Sequence, residues 1–270
     1  MRIFSSGFLA GVVLLAVVAV VAATAPLVSP HDPAGQELVF GLEPPTRAHP
    51  MGRDLLGRDV LSRLIYGSRV SLAAGFLVVG ISLAAGAAVG AASGAFGGRV
   101  DMVVMRLVDM AQAFPGLLLA IAIMAVLGPG LGHLLFALCL TGWTGFARLA
   151  RGQTLALRER EFVTAAVAAG SGKARLIFFH YLPNSAGPLM VEAAFGVASA
   201  ILSEAGLSFL GLGVQPPAPS WGSMLNEGRP FLLVAPHLTI FPGLCLMALV
   251  LAVNLVGDRL RDVLNTRGGR

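Results

Sequence analysis

Long runs without a charged residue constrain this chain more than any other feature of its sequence. Several of them hold roughly 20 mostly apolar residues, and each is long enough to cross the ~30 Å hydrocarbon core of a bilayer as a helix. With 56% hydrophobic and only 12% charged residues, the composition lies far outside the soluble range. The sequence therefore predicts an all-α, polytopic membrane protein.

About six transmembrane helices are predicted from these runs. Their approximate bounds are 8–28, 70–92, 99–127, 131–147, 189–209 and 238–256. A cleaved signal peptide is the alternative for the first run, but that run is longer than the apolar region of such a peptide, which favours an uncleaved span. The chain then divides into an N-terminal span with an extracytoplasmic segment (1–69), a transmembrane domain that includes a basic loop at 148–185 (70–258), and a basic tail (259–270).

Two patterns predict local structure between the first and second spans and within the second. Apolar residues of 61–68 recur at helical spacing with Arg63 interposed, which indicates a short interfacial helix. Gly86, Gly90 and Gly94 repeat every four positions and would present a flat stripe to another helix backbone.

Charged residues of the third span predict a local ion pair. Arg106 and Asp109 lie three positions apart on one helix face, where pairing would ease their burial near the membrane boundary. An equally good alternative is that they anchor the end of the helix at the interface.

Basic residues predict the orientation, because cytoplasmic loops of membrane proteins carry an excess of Lys and Arg. With six spans and the N-terminus inside, the cytoplasmic stretches hold 13 of the 19 basic residues and the opposite side holds 6. Both termini are therefore expected in the cytoplasm. Since these residues cluster at the ends of apolar runs, the net charge of +5 reflects topology, and no nucleic-acid partner is expected.

The basic loop contains a small-residue pattern that predicts two short helices joined by a tight turn. Gly170 is a natural helix stop, a second helix can begin near Lys173, and Pro183 is expected to end it. Ala165 and Ala166 would leave the first helix with a smooth surface on which a partner protein can pack closely. The alternative is an ordinary basic loop between two spans.

The spacing of Thr164-Ala165-Ala166, Gly170 and Leu182-Pro183 resembles the signature loop of the membrane subunits of binding-protein-dependent ABC importers. Further strings resemble one branch of that family, the second permease of dipeptide, oligopeptide and nickel importers. They are GRDVLSRLIYGSR (57–69), MRLVDM (105–110), HYLPN (180–184), LSFLGLG (207–213), PPAPSWGSML (216–225) and NLVGDRLRD (254–262). The resemblance covers residues 50–262 in order. Thr164 and His180 depart from the general signature, which has Glu and Ile there.

The resemblance implies the type I permease fold and a bacterial inner-membrane subunit without catalytic residues. It implies a homologous second permease, two ATPase subunits and an extracytoplasmic solute-binding protein as partners, besides membrane lipid. ATP and Mg²⁺ would be used by the ATPase subunits, and this chain would bind no cofactor. The residues that would contact an ATPase are Glu161, Thr164, Ala165, Ala166, Gly170, His180, Leu182 and Pro183.

Direct nucleotide, metal or catalytic chemistry is not expected in this chain. The GSGK string at 170–173 lacks the Ser or Thr that a phosphate-binding loop requires, because Ala174 follows the lysine. Cys139 and Cys245 lie inside spans, and His133 has no second ligand at metal-binding spacing, so no metal site is predicted.

Four polar residues are candidates for the translocation path or its gate. Glu192, Glu204 and Asn254 lie in or beside predicted spans, where a charged group costs roughly 2.5 kcal/mol or more and is often functional. Bracing of neighbouring helices is the alternative for Glu204. Trp221 follows a proline-rich stretch and is expected in a stiff outer loop that acts as a gate or contacts the binding protein.

The sequence favours an ATP-driven importer of peptides, nickel or a related solute. The rival hypothesis is an ion-coupled secondary transporter that uses Glu192, Glu204 or Asp109, but the sequence lacks the internal repeat and interrupted helices typical of that class. A membrane-embedded enzyme is disfavoured, because no catalytic constellation is present.

Overall fold

The structure, a computed structural model, describes residues 6–267, and these residues form a bundle of α-helices. In chain order the helices are α1 (Ser6–Ala23), α2 (Ala25–Val28), α3 (Val60–Phe96), α4 (Gly98–Gln112), α5 (Gly116–Leu127), α6 (Leu131–Arg158), α7 (Glu161–Ala168), α8 (Lys173–Leu176), α9 (Leu182–Phe209), α10 (Trp221–Gly228) and α11 (His237–Arg267). A single π-turn, Ile177–Tyr181, joins α8 to α9.

Four helical stretches of the described chain are long and apolar enough to span a membrane. They are Val60–Phe96, Leu131–Arg158, Lys173–Phe209 and His237–Leu264. The pair α4 and α5 makes a fifth if its two helices count as one span. The first predicted span is α1, whose 18 residues extend for only ~27 Å. The predicted total of six therefore holds only if both the bent pair and this short helix are counted.

The centre of the bundle is the contact between α3 and α6, and the glycine stripe of α3 makes it close. A Cβ atom on Gly86 or Gly90 would collide with the backbone of α6, and one on Gly94 would lie 2.9 Å from the side chain of Thr154. The predicted stripe is therefore confirmed. Small residues let the two backbones approach until carbonyl oxygens of one helix touch the other.

Helix α3 begins earlier than the sequence indicated, so the predicted interfacial helix at 61–68 is wrong. Asp59 caps α3 by accepting a hydrogen bond from the Ser62 amide, and the helix then runs without a break for 37 residues. Arg63 and Leu64 are buried, which is unlike a helix that lies on a membrane surface. The helix is ~55 Å long, which is long enough to cross a bilayer ~40–45 Å thick from one side to the other.

The predicted third span is broken. Helices α4 and α5 meet at an angle of 81°. Pro115 stands at the break as the residue before α5, and a proline disfavours helical conformation in the residue before it. The predicted pairing of Arg106 with Asp109 is also wrong, because Asp109 accepts a hydrogen bond from Arg148 of α6 at 2.8 Å.

The predicted helix stop at Pro183 is wrong as well. The chain remains helical from Lys173 through Phe209, and Pro183 occupies the first turn of α9. Proline has no backbone N–H, and it is tolerated in the first turn of a helix because the N–H groups there have no partner within the helix. The π-turn at Ile177–Tyr181 comes directly before α9 and changes the hydrogen-bond register at this point of the chain. The predicted fifth span is thus continuous with α8.

The predicted basic tail at 259–270 continues the last helix, because α11 extends to Arg267. Arg2 and Arg270, which entered the charge count above, lie outside the described residues.

Candidate functional site

Residues 161–184, named here the coupling segment, lie at the Phe96 end of α3. Helix α7 buries Val163 in an apolar cluster with Ala91 and Ala95 of α3 and with Ile177 and Tyr181. On the other side of α7, Glu161, Thr164 and Ala165 are exposed. The segment is therefore held by one buried face and presents a free face of small side chains.

The turn after α7 is a Schellman motif built on Gly170. Its φ of +84° lies in the left-handed region, which glycine adopts without strain. The Gly170 amide donates to the Val167 carbonyl at 2.9 Å, and the Ser171 amide donates to the Ala166 carbonyl at 3.0 Å. Gly170 thus ends α7 and reverses the chain, as its place in the sequence predicted.

The second half of the coupling segment folds back against the first. The ring of His180 lies near that of Phe162, with centroids 6.2 Å apart. The Asn184 side-chain amide donates to the His180 carbonyl at 2.6 Å. Leu182 is half-buried against the core, whereas Pro183 is exposed. The eight residues assigned to ATPase contact are thus brought together at one end of the bundle.

A cavity of about 410 Å³ lies between α3, α6 and α9. Its walls carry both apolar and polar groups, among them Val78, Ser82, Thr141, Glu192, Ser199 and Ser203. Glu192 is exposed within this opening. Of the four residues predicted for the path or gate, Glu192 is the one on this wall.

Glu204 is fully buried between helices. It accepts a hydrogen bond from Ser208 at 2.8 Å and one from Ser71 of α3 at 3.3 Å. These contacts correspond to the alternative predicted for Glu204, in which it holds neighbouring helices together and does not line the translocation path. Asn254 is half-buried on α11.

Trp221 does not lie in an exposed loop, so that part of its prediction is wrong. It begins α10, is 3% exposed and donates from Nε1 to the Leu64 carbonyl of α3 at 3.0 Å. Its ring covers Gly67, where a Cβ would lie 3.0 Å from the indole. The tryptophan therefore fastens α10 to α3.

A buried network of charges lies at the other end of α3, and it was not predicted from the sequence. Arg63 donates to Asp54 and, at 2.7 Å, to Glu227 of α10. Arg58 donates to the same two carboxylates at 2.6 and 2.7 Å. The available signal was the i, i+4 spacing of Asp54 and Arg58 within the Gly-Arg-Asp repeat, but nothing local in the sequence points to Glu227.

Asp59 belongs to the same end of α3. Burial alone would raise the pKa of its carboxyl, but hydrogen bonds from the Ser62 hydroxyl, from His49 and from the Ser62 amide hold that pKa below its usual value. The carboxylate is thus kept ionised where it caps the helix.

These features define a class of protein. A helical membrane bundle that encloses a cavity with both apolar and polar walls is the architecture of a membrane transport protein. The family described as "Binding-protein-dependent transport system inner membrane component" matches residues 72–268. The chain belongs to that family, whose members are permease subunits of ABC importers and not enzymes.

Similar proteins agree with this assignment over nearly the whole chain. The chain is 42% identical over 257 residues to the dipeptide transport system permease protein DppC of Alkalihalophilus pseudofirmus, covering 95% of this chain and 84% of that protein. It is 40% identical to DppC of Haemophilus influenzae, over 97% of this chain and 90% of that protein. It is 43% identical to the glutathione transport system permease protein GsiD of Pectobacterium atrosepticum, over 83% of this chain and 75% of that protein.

A solved structure shows the same fold. The MetNI methionine ABC transporter in an inward-facing conformation matches with a TM-score of 0.60 and 19% identity, over 75% of this chain and 97% of that one. The predicted all-α permease fold is confirmed. The chain is accordingly a multi-pass inner-membrane protein of the ABC importer class, and the ion-coupled transporter hypothesis is set aside.

Proposed function

We propose that this chain is one of two permease subunits of an ATP-driven importer of di- or oligopeptides. One observation supports the coupling role. Helix α7 and the turn at Gly170 are anchored at one end of the bundle through Val163 and expose a face of small side chains. The relatives named above are permeases for dipeptides and glutathione, which supports a peptide-like solute over nickel.

The proposed partners follow from the shape of the coupling segment and from the family. A homologous second permease completes the translocation path, and two ATPase subunits, which use ATP and Mg²⁺, bind the coupling segments from the cytoplasm. An extracytoplasmic binding protein delivers the solute to the opposite face. Both termini lie in the cytoplasm in this arrangement, in accord with the excess of basic residues on the side of the coupling segment.

The mechanism is a shift between two packed arrangements of the helices. Closure of the ATPase pair moves α7, and α7 is fastened to α3 through Val163. It is also joined to the fifth span through the unbroken helix that starts at Lys173. Movement of these two helices changes the cavity between α3, α6 and α9, which opens in turn to each side.

The test is transport by the complete importer in proteoliposomes. The chain, its partner permease and the ATPases are reconstituted with the binding protein, and ATP-dependent uptake of a labelled dipeptide is measured. Gly170→Pro should abolish uptake and uncouple ATP hydrolysis from the binding protein. Proline cannot adopt a φ of +84°, and it lacks the backbone N–H that donates a hydrogen bond to the Val167 carbonyl.

Gly172→Ala is the matched control, because Gly172 has a φ of −71° and open space around its Cβ position. It should transport normally. Normal coupled uptake by Gly170→Pro would refute the role of the coupling segment. Uptake by this chain alone, driven by an ion gradient and without an ATPase, would refute the importer proposal.

A further inference from the structure

Two imidazoles and a carboxylate meet beside the first turn of α3, at the end opposite to the coupling segment. His31, His49 and Asp59 each offer a ligand atom within 4.8 Å of the other two. Nδ1 of His49 lies 2.8 Å from Oδ1 of Asp59, and Nδ1 of His31 lies 3.7 Å from Oδ2. The two imidazole rings are 4.4 Å apart between centroids. The three side chains therefore surround one small volume.

These separations are close to those of a metal site. Zinc binds histidine nitrogen and carboxylate oxygen at ~2.0–2.2 Å, which puts neighbouring ligand atoms of a tetrahedron ~3.3–3.5 Å apart. The observed 2.8 Å and 3.7 Å, which run to the two different oxygens of Asp59, lie on either side of that value, and all three ligand atoms lie within 4.8 Å of one another. A single ion bonded by all three side chains therefore requires the two imidazoles to turn toward one another and toward the carboxylate.

The carboxylate and one histidine are held in place by a single serine. The hydroxyl of Ser62 donates to Oδ2 of Asp59 at 2.6 Å and accepts from the backbone amide of His31 at 3.1 Å. The Ser62 amide donates to the same Oδ2 at 2.8 Å. Metal ligands in proteins are usually oriented by such outer hydrogen bonds.

Exposure differs among the three residues in a way that suits metal entry. The side chains of Asp59 and His49 are 1% and 9% exposed, whereas that of His31 is 41% exposed. The buried pair forms the floor of the site and His31 closes it from the solvent side.

We propose that His31, His49 and Asp59 bind a divalent transition-metal ion of the Zn²⁺ type. The sequence predicted no metal site, because the three residues lie 10 and 18 positions apart and follow no metal-binding motif. Two imidazoles and one carboxylate are a donor set suited to Zn²⁺ and related ions, not to Ca²⁺ or Mg²⁺. The bound ion ties residues 31 and 49 to the start of α3 and so stabilises the connection between α2 and α3.

The test measures metal binding to the full-length chain in detergent. The protein is purified with a tag that contains no histidine and is stripped with a chelator, and Zn²⁺ is then titrated by calorimetry. One equivalent should bind and raise the Tm. Co²⁺, used as a spectroscopic probe, should give visible bands of nitrogen and oxygen ligation without the thiolate band that Cys139 or Cys245 would produce.

His31→Ala is the decisive variant, because this exposed side chain can be removed with little effect on folding. It should weaken Zn²⁺ binding at least ~10-fold and abolish the metal-dependent rise in Tm. His133→Ala is the control, since His133 is exposed and bonded only to the Gly128 carbonyl at 3.2 Å among the described contacts. It should bind as the unmodified chain does.

Three results would overturn the proposal. They are the absence of a bound equivalent in the unmodified chain, equal affinity in His31→Ala, and a thiolate band with Co²⁺. In each of these cases, the His49–Asp59 hydrogen bond is structural only.

Discussion

Gly90 shows at the scale of one residue how the bundle core is made. Its missing side chain lets the carbonyl of Ala147 contact α3 directly. We predict that Gly90→Ala destabilises the protein by about 1–3 kcal/mol, because the added methyl group must push α6 away. A lower Tm in detergent would report this change.

Gly80 provides a control in the same helix. A Cβ there meets nothing within 4 Å, so Gly80→Ala should be neutral or stabilise the helix by about 0.5–1 kcal/mol. Equal losses of Tm in the two variants would contradict the assignment of Gly90 to the helix contact.

Glu204 poses a second question at this scale, whether a buried carboxylate serves packing or transport. Glu204→Ala leaves the hydroxyls of Ser71 and Ser208 without their acceptor and should cost about 1–3 kcal/mol. Glu204→Gln keeps an acceptor oxygen and should lose much less. The measurement is the midpoint of thermal unfolding for both variants.

Glu192 is the natural comparison, because it lines the cavity and is exposed. Glu192→Gln should leave the Tm unchanged and alter the rate of solute uptake. A Glu204→Gln variant that is fully stable but inactive in transport would instead assign Glu204 to the path.

At the scale of elements, α10 is fastened to α3 by the indole of Trp221 and by the carboxylate of Glu227. Glu227→Ala removes one of the two carboxylates to which Arg58 and Arg63 donate, and Arg63 is only 1% exposed. We expect a loss of about 2 kcal/mol, moderated because Glu227 is itself 31% exposed.

Protease resistance of α10 and the Tm would both report this loss. Glu159→Ala, at an exposed carboxylate beyond the end of α6, is the matched control and should change neither. If both glutamate variants behave alike, the charged network does not hold α10 in place.

At the scale of the whole molecule, the ~55 Å length of α3 separates the charged end from the coupling segment. We predict that a membrane-impermeant thiol reagent labels Val39→Cys from outside intact cells and Val167→Cys only after permeabilisation. Both positions are exposed, at 92% and 54%. Cys139 and Cys245 are replaced first to remove background.

Labelling of both positions from one side would contradict the proposed topology. It would also show that residues 29–59 and the coupling segment share a compartment, which the length of α3 does not allow for a helix that spans the bilayer.

Much of this architecture was predictable because it depends on local patterns in the sequence. Apolar runs marked the spans, the four-residue glycine repeat marked the closest helix contact, and Gly170 marked the turn of the coupling segment. Each depends on residues a few positions apart, whose spacing alone determines which side of a helix they share. The resemblance of residues 161–184 to a coupling loop drew on the same kind of information.

The predictions that failed share a different property. The bend before α5, the passage of helix through Pro183 and the partner of Asp109 all depend on what packs beside the segment in space. A proline indicates where a helix can break, but the neighbouring elements decide whether it does. Asp109 accepts a hydrogen bond from Arg148, 39 positions away, and not from Arg106 on its own helix.

The sequence by itself thus determined that the chain is a helical membrane permease, and it predicted the segment through which we propose that the chain meets an ATPase. Only the tertiary structure decided which charges pair at the far end of α3, where Glu227 reaches Arg63 across 164 positions, and that His31, His49 and Asp59 converge. The physical reason is that hydrophobic periodicity determines which side chains are buried, but not which residues of other helices they contact. That choice is made by helix lengths, bends and loops that act together.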